Sequence, residues 1–165
     1  MTPLQISKSG SESSHQKAFF AYCAFARNYG FHCADLWAEG LQWKHIAEEG
    51  IDGLQWIFHV PNGGARGDSK TSNQIRGANL KAEGVKDGVW DICWPMKNNN
   101  FNGLWIEMKK PTMKPKKAGS LGGFSKEQVE FGRFIHSQGY KVEACYSWQE
   151  AVEALKNYLK PVDLT

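Results

Sequence analysis

A chain of 165 residues is expected to form one domain, long enough to bury a real core and too short for two independent ones. With 41% hydrophobic, 22% charged and 13% aromatic residues, the composition excludes a disordered or fibrous protein. The net charge of +3 is too mild to identify a partner, so the placement of the basic residues matters more than their sum.

Residues 1–10 are polar and serine-rich and are predicted to be a flexible tail ahead of a single domain over 11–160. A helix is predicted from an N-cap at Ser11, with Phe19, Phe20 and Cys23 at helical spacing and Gly30 as its left-handed stop. In Phe31 to Gly53 the residues Trp37, Leu41, Trp43 and Ile46 suggest a short helix ending at Gly50. Gln55 to Val60 reads as a strand stopped by Pro61 and the turn-forming Asn62-Gly63-Gly64. A helix over Thr71 to Ala82 follows, then a strand over Val89 to Trp94 and an Asn-rich hairpin connection leading into Leu104 to Lys109. Ser125-Lys126-Glu127-Gln128 has the form of a capping box and opens a helix with Val129, Phe131, Phe134 and Ile135 apolar and Gly139 as its stop. Tyr140 to Tyr146 is the next strand, and Ser147 caps a last helix carrying Ala151, Leu155, Tyr158 and Leu159. A hairpin followed by a strand-helix-strand crossover predicts an α/β fold, with a mixed central β-sheet flanked by helices. Trp56, Trp94 and Trp105 lie in predicted strands and are expected to be core or half-buried.

The chemistry is concentrated in Leu104-Trp105-Ile106-Glu107-Met108-Lys109. Alternate side chains of a strand share a face, so Leu104, Ile106 and Met108 can enter the core while Trp105, Glu107 and Lys109 stand together on the other side. Asp91, near the end of the neighbouring predicted strand, brings a second carboxylate. Two carboxylates beside an ammonium suit Mg²⁺, which takes oxygen ligands and keeps some waters, and Lys109 can orient an attacking water and offset charge on a phosphoryl transition state. Directly after it, Lys109, Lys110, Lys114, Lys116 and Lys117 alternate with Pro111 and Pro115 without an acid. That segment is either a solvated loop or a contact for phosphates, and its place beside the candidate site favours the second. Asn62-Gly63-Gly64 with Arg66 is either a tight turn that ends a strand or a backbone anion cradle with a guanidinium. His59 is read as structural. The cysteines Cys23, Cys33, Cys93 and Cys145 lack zinc-ligand spacing and are expected to be reduced thiols of a cytoplasmic protein, since neither a signal peptide nor a membrane-spanning run is evident.

With these elements in order, the chain resembles the VRR-Nuc domains of the PD-(D/E)XK nuclease superfamily, a likeness covering roughly Glu12 to Leu159. It rests on Glu12-Ser13-Ser14-His15-Gln16, on His59-Val60-Pro61-Asn62-Gly63-Gly64-Ala65-Arg66, on Gly84-Val85-Lys86-Asp87-Gly88-Val89-Trp90-Asp91, on Ile106-Glu107-Met108-Lys109, and on Phe124-Ser125-Lys126-Glu127-Gln128. One departure is Trp90, where the family has a proline before the aspartate, which puts the local backbone there in question. The resemblance implies a restriction-endonuclease-like PD-(D/E)XK core and a DNA endonuclease dependent on Mg²⁺ or Mn²⁺. It makes Asp91, Glu107 and the Met108 backbone carbonyl metal ligands, Lys109 the catalytic lysine, Glu12 a completing or supporting group, and Gln128 an orienting amide. It also turns Asn62, Gly63, Gly64, Arg66, Lys114, Lys116 and Lys117 toward the DNA backbone. From the family come further expectations: branched or junction DNA as the substrate, a homodimer, and a bacteriophage origin that would place the protein in a bacterial host cell. The alternatives are a sequence-specific restriction-type endonuclease, a DNA-binding protein that has lost cleavage, and a structural domain unconnected with nucleic acid.

Overall fold

The computed structural model describes residues 1–61 and 70–160. In chain order these form α1 (Pro3–Ile6), α2 (Glu12–Glu39), β1 (Phe58–His59), α3 (Lys70–Ala82), β2 (Ile92–Trp94), β3 (Leu104–Met108), α4 (Lys126–Ser137), β4 (Lys141–Cys145) and α5 (Trp148–Leu159). The strands make one sheet in the order β1-β2-β3-β4. The β1/β2 and β2/β3 pairs are antiparallel and β3/β4 is parallel, so the mixed sheet expected from a hairpin followed by a helical crossover is observed.

The core lies between the sheet and the layer formed by α2 and α5. Leu104, Ile106 and Met108 point from β3 into it beside Phe19, Tyr22 and Cys23 of α2 and Ala151, Val152 and Leu155 of α5. Full burial of each such aliphatic side chain contributes roughly 1.5–3 kcal/mol. Because side chains alternate along a strand, burying this row turns Glu107 and Lys109 to the opposite face, the side on which Trp105 meets the ring of Phe131 from α4 edge-on at 5.2 Å.

The structure departs from the sequence expectations at four places. The serine-rich tail over 1–10 is instead an ordered turn: Thr2 and Gln5 form a capping box over α1, Pro3 and Ser7 are buried, and Ile6 packs against the core. Composition hides this because two apolar contacts and a local cap suffice to hold so short a piece. Ser11 does cap α2, and Gly30 does break it, at φ 80° and ψ 173°, but a second helical arm resumes at once and closes at Gly40. The Glu48 carboxylate accepts from the Cys33 N–H at 3.0 Å and lies against Gly30, so a distant acid supplies the cap that restarts the helix. Leu41, Trp43 and Ile46 therefore follow the helix rather than line it.

The strand predicted from Gln55 shortens to Phe58–His59, because Leu54–Trp56 coils into a 3₁₀ turn after Gly53, whose carbonyl accepts from the Trp94 indole at 2.7 Å. Trp56 is consequently 67% exposed rather than half-buried. Phe134 is likewise 60% exposed on the outer face of α4. The predicted helix over Thr71 to Ala82 is observed as α3, while Asn62, Gly63, Gly64 and Arg66 lie outside the described residues.

Candidate active site

Glu107 and Lys109 are almost wholly buried, at 1% and 6% exposure. Such burial is tolerable only where the charges are paired and their remaining hydrogen-bonding capacity is used. The Lys109 ammonium donates to Glu107 Oε1 at 2.6 Å and to Gln128 Oε1 at 2.9 Å, and it sits 5.1 Å from the centre of the Phe124 ring. The Gln128 amide nitrogen donates to the same Glu107 Oε1, which closes a triangle of carboxylate, ammonium and amide. Gln128 is itself held by the start of α4, since its Oε1 also accepts from the Ser125 N–H at 3.1 Å while Ser125 Oγ accepts from the Gln128 N–H at 3.2 Å. The capping box visible in the sequence thus aims a side chain into the site as well as starting a helix.

Asp91 enters from the next strand. Ile92 faces Ile106 across the antiparallel pair, so one step further along that register Asp91 comes beside Glu107. Its Oδ2 accepts from the Met108 N–H at 3.0 Å, and its carbonyl accepts from Val60 N–H at 2.7 Å, which fixes the carboxylate against the end of β3. Met108 sends its side chain into the core, so its backbone is what it offers the site.

The electrostatics show how crowded this point is. Burial, and then the charge of Asp91, push the Glu107 carboxyl up to about 7, against the opposing pull of Lys109. Glu12, in the first turn of α2, is raised by burial and by the same Asp91, with Lys109 and Lys110 acting in the opposite direction, so it feels the charges of this cluster from a third element. Ser11 caps the helix that carries Glu12. Glu107 Oε2 is buried without a hydrogen-bond partner among the described residues. Such an orphaned anionic oxygen beside a second carboxylate lacks a positive charge on that side, and a divalent cation fits the need. Among the described residues no three His, Cys, Asp or Glu side chains form a ready cage.

The basic segment begins where the site ends. After Lys109 the chain makes a 3₁₀ turn at Pro111–Met113 and runs on with Lys116 and Lys117 exposed. Lys114 is tied to Glu150 of α5 at 2.8 Å, which raises its pKa and takes up part of its charge. Tyr146 anchors the far end of the segment by donating to the Gly122 carbonyl at 3.2 Å.

Several contributors were not assigned roles from the sequence. Phe124 is one, its ring lying against the Lys109 ammonium. Trp90, a departure from the family pattern, is another: its side chain is 6% exposed and its indole donates to the Gln128 carbonyl at 2.8 Å. His15, buried on α2, accepts from the Trp148 N–H at 3.2 Å through Nδ1 and so ties the helix carrying Glu12 to the start of α5. Its contact is separated by most of the chain, and no local pattern announces it.

No protein-family model and no curated protein matches the chain. A solved structure described as a "VRR_NUC domain protein" aligns with it at a TM-score of 0.54 and 18% sequence identity, covering 90% of this chain and 88% of the other. With its mixed four-stranded sheet and flanking helices, this chain has the fold of that VRR_NUC domain protein, a restriction-endonuclease-like α/β architecture.

Proposed function

We propose that this protein is a VRR-Nuc nuclease that hydrolyses phosphodiester bonds in DNA with the help of Mg²⁺ or Mn²⁺. The observation that carries the reading is the buried Glu107, Lys109 and Gln128 triangle with Asp91 beside it, on the sheet face away from the core. A protein needing only stability has little reason to bury that set, since such pairs rarely outperform apolar packing.

In this reading Asp91, Glu107 and the Met108 carbonyl hold the cation, with Glu12 completing or supporting the set. When bound, the ion polarises a phosphate oxygen and makes water a better nucleophile near neutral pH. The protein supplies the rest. Lys109 places a fixed positive charge where negative charge grows on the phosphoryl oxygens, and its ammonium orients the attacking water. Gln128 keeps the ammonium and the Glu107 carboxylate in register, so that little reorganisation is needed as the reaction proceeds. Asp91, tied to the Met108 N–H, keeps its carboxylate pointed at the strand end rather than at solvent.

Substrate is held by charge. Lys116 and Lys117 on the exposed segment, with Lys114, Asn62, Gly63, Gly64 and Arg66, contact the phosphate backbone, and the preferred substrates are branched or junction DNA cut by a homodimer that matches two sites to two strands. The test is incubation of the purified protein with labelled linear, flapped and four-way-junction DNA in Mg²⁺, Mn²⁺ or EDTA, beside Lys109→Ala. Cleavage that requires the metal and vanishes in the variant supports the nuclease, and the ranking of substrates decides the shape preference. Binding without cleavage in every metal condition rejects it in favour of a DNA-binding protein.

A further inference from the structure

Trp90 joins the two halves of the site. Its indole N–H donates to the Gln128 carbonyl at 2.8 Å, its ring meets Phe124 edge-on at 5.6 Å, and Phe124 in turn faces the Lys109 ammonium at 5.1 Å. The ring also fills the space over Gly132, where a Cβ would collide with the indole. A glycine inside a helix costs stability relative to alanine, and here the missing side chain is the room that Trp90 occupies. Two residues earlier, Gly88 at φ 82° packs against the backbone of Glu127, leaving no space for a Cβ. The segment leading to Asp91 is therefore clamped onto the first turns of α4 at both Gly88 and Trp90.

We propose that Trp90 is a positioning residue: it locks the start of α4 to the strand end bearing Asp91 and thereby sets the Gln128 amide between Glu107 and Lys109. The role rests on the nuclease reading for its consequence in turnover, and on the indole contact for its geometry. The contacts of Trp90 are with Gln128, Phe124 and Gly132. The indole hydrogen bond fixes the backbone from which Gln128 projects, and the ring fixes Phe124 over the ammonium.

Trp90→Phe keeps an aromatic ring and removes the N–H donor, which makes it a milder probe than Trp90→Ala. In the 165-residue chain without metal or DNA, Trp90→Phe is expected to move the Gln128 side-chain amide resonances toward those of a solvated glutamine while the resonances of β4 and α5 stay in place. With DNA and Mg²⁺, kcat should fall about 10-fold to 100-fold at nearly constant KM, the range usual for groups that orient a ligand. In a Gln128→Ala background the same substitution should change kcat less than about 2-fold, because the residue through which Trp90 acts has gone. Unmoved Gln128 resonances, or an equally large loss in the Gln128→Ala background, would overturn the proposal. Should the wild-type protein cut no DNA, the nuclease reading fails separately, and the Gln128 resonances alone decide whether Trp90 positions the amide.

Discussion

The Glu107 carboxylate and the Lys109 ammonium lie 2.6 Å apart on one face of β3, and both are nearly excluded from solvent. Two residues apart on a strand, they meet because the intervening Met108 points the other way into the core. Their contact sets the first expectation. Lys109→Ala leaves a buried carboxylate without its cation, and Glu107→Ala leaves a buried ammonium without its anion; each should lower kcat by at least about 10²-fold. Asp91→Ala should do the same with less effect on the fold, because Asp91 is only half-buried. Circular dichroism beside single-turnover cleavage separates lost chemistry from lost structure. Undiminished turnover in all three variants would reject these assignments.

Glu107 also gives the metal-free protein a pH dependence. Its carboxyl is raised from 4.5 to about 7, so between those values the folded state holds a proton that the unfolded state has released. Stability from this group is therefore full below about pH 4.5 and is lost as pH rises through about 7, up to roughly 3 kcal/mol for an uncompensated shift of that size. Glu12, also raised, acts in the same direction. His15, lowered by burial, acts in the opposite one: its contribution is present above its ordinary pKa and is lost on acidification. Urea unfolding of wild type and Glu107→Gln between pH 5 and 8 isolates the Glu107 part. The variant should gain relative to wild type as pH rises, and a constant difference would contradict the cause given.

Metal binding should show the complementary trend. If Glu107 must be ionised to hold the ion, millimolar Mg²⁺ or Mn²⁺ should raise Tm more at pH 8 than at pH 5.5, and EDTA should reverse the gain. Differential scanning fluorimetry reads this without DNA. Glu107→Gln should respond weakly at either pH. An equal rise in wild type and variant would assign the ion to some other place on the protein.

The basic segment calls for a binding measurement. Lys116→Glu with Lys117→Glu should weaken DNA affinity and flatten the slope of log K against log salt by about 2, close to one unit per lost phosphate contact. Lys114→Glu should matter less, since Lys114 already pairs with Glu150. Fluorescence anisotropy across a salt series measures both, and an unchanged slope would remove this segment from the interface.

A core substitution supplies the control. Leu155 is fully buried on α5 against the apolar face of the sheet, and Leu155→Ala should cost about 2–5 kcal/mol while leaving kcat near wild type well below the melting temperature. Turnover lost ahead of the melting transition would show that the α5 layer shapes the site directly.

Local chemistry made much of this legible in advance. Strict alternation in Leu104 to Lys109 determined which residues enter the core, and the capping sequence at Ser125 determined where α4 starts and that Gln128 occupies its first turn. The pleat of an extended backbone fixes the first and hydrogen bonds within one helical turn fix the second, so a short window of sequence holds the necessary information. What the window lacks is any partner from afar. Glu48 restarts α2 beyond Gly30, the Trp94 indole pulls Gly53 into a turn that shortens β1, and the solvent-facing position of Trp56 follows from that turn. Trp90 likewise finds its partners only where α4 folds over it and Gly132 makes room.

The sequence by itself therefore determined the order of the elements from β1 onward, the inward row of β3 and the identity of the charged residues, because backbone periodicity and capping are short-range. Only the tertiary structure decided that Asp91 and Gln128 meet the Glu107 and Lys109 pair, because they come from different elements and their approach is fixed by sheet register and core packing.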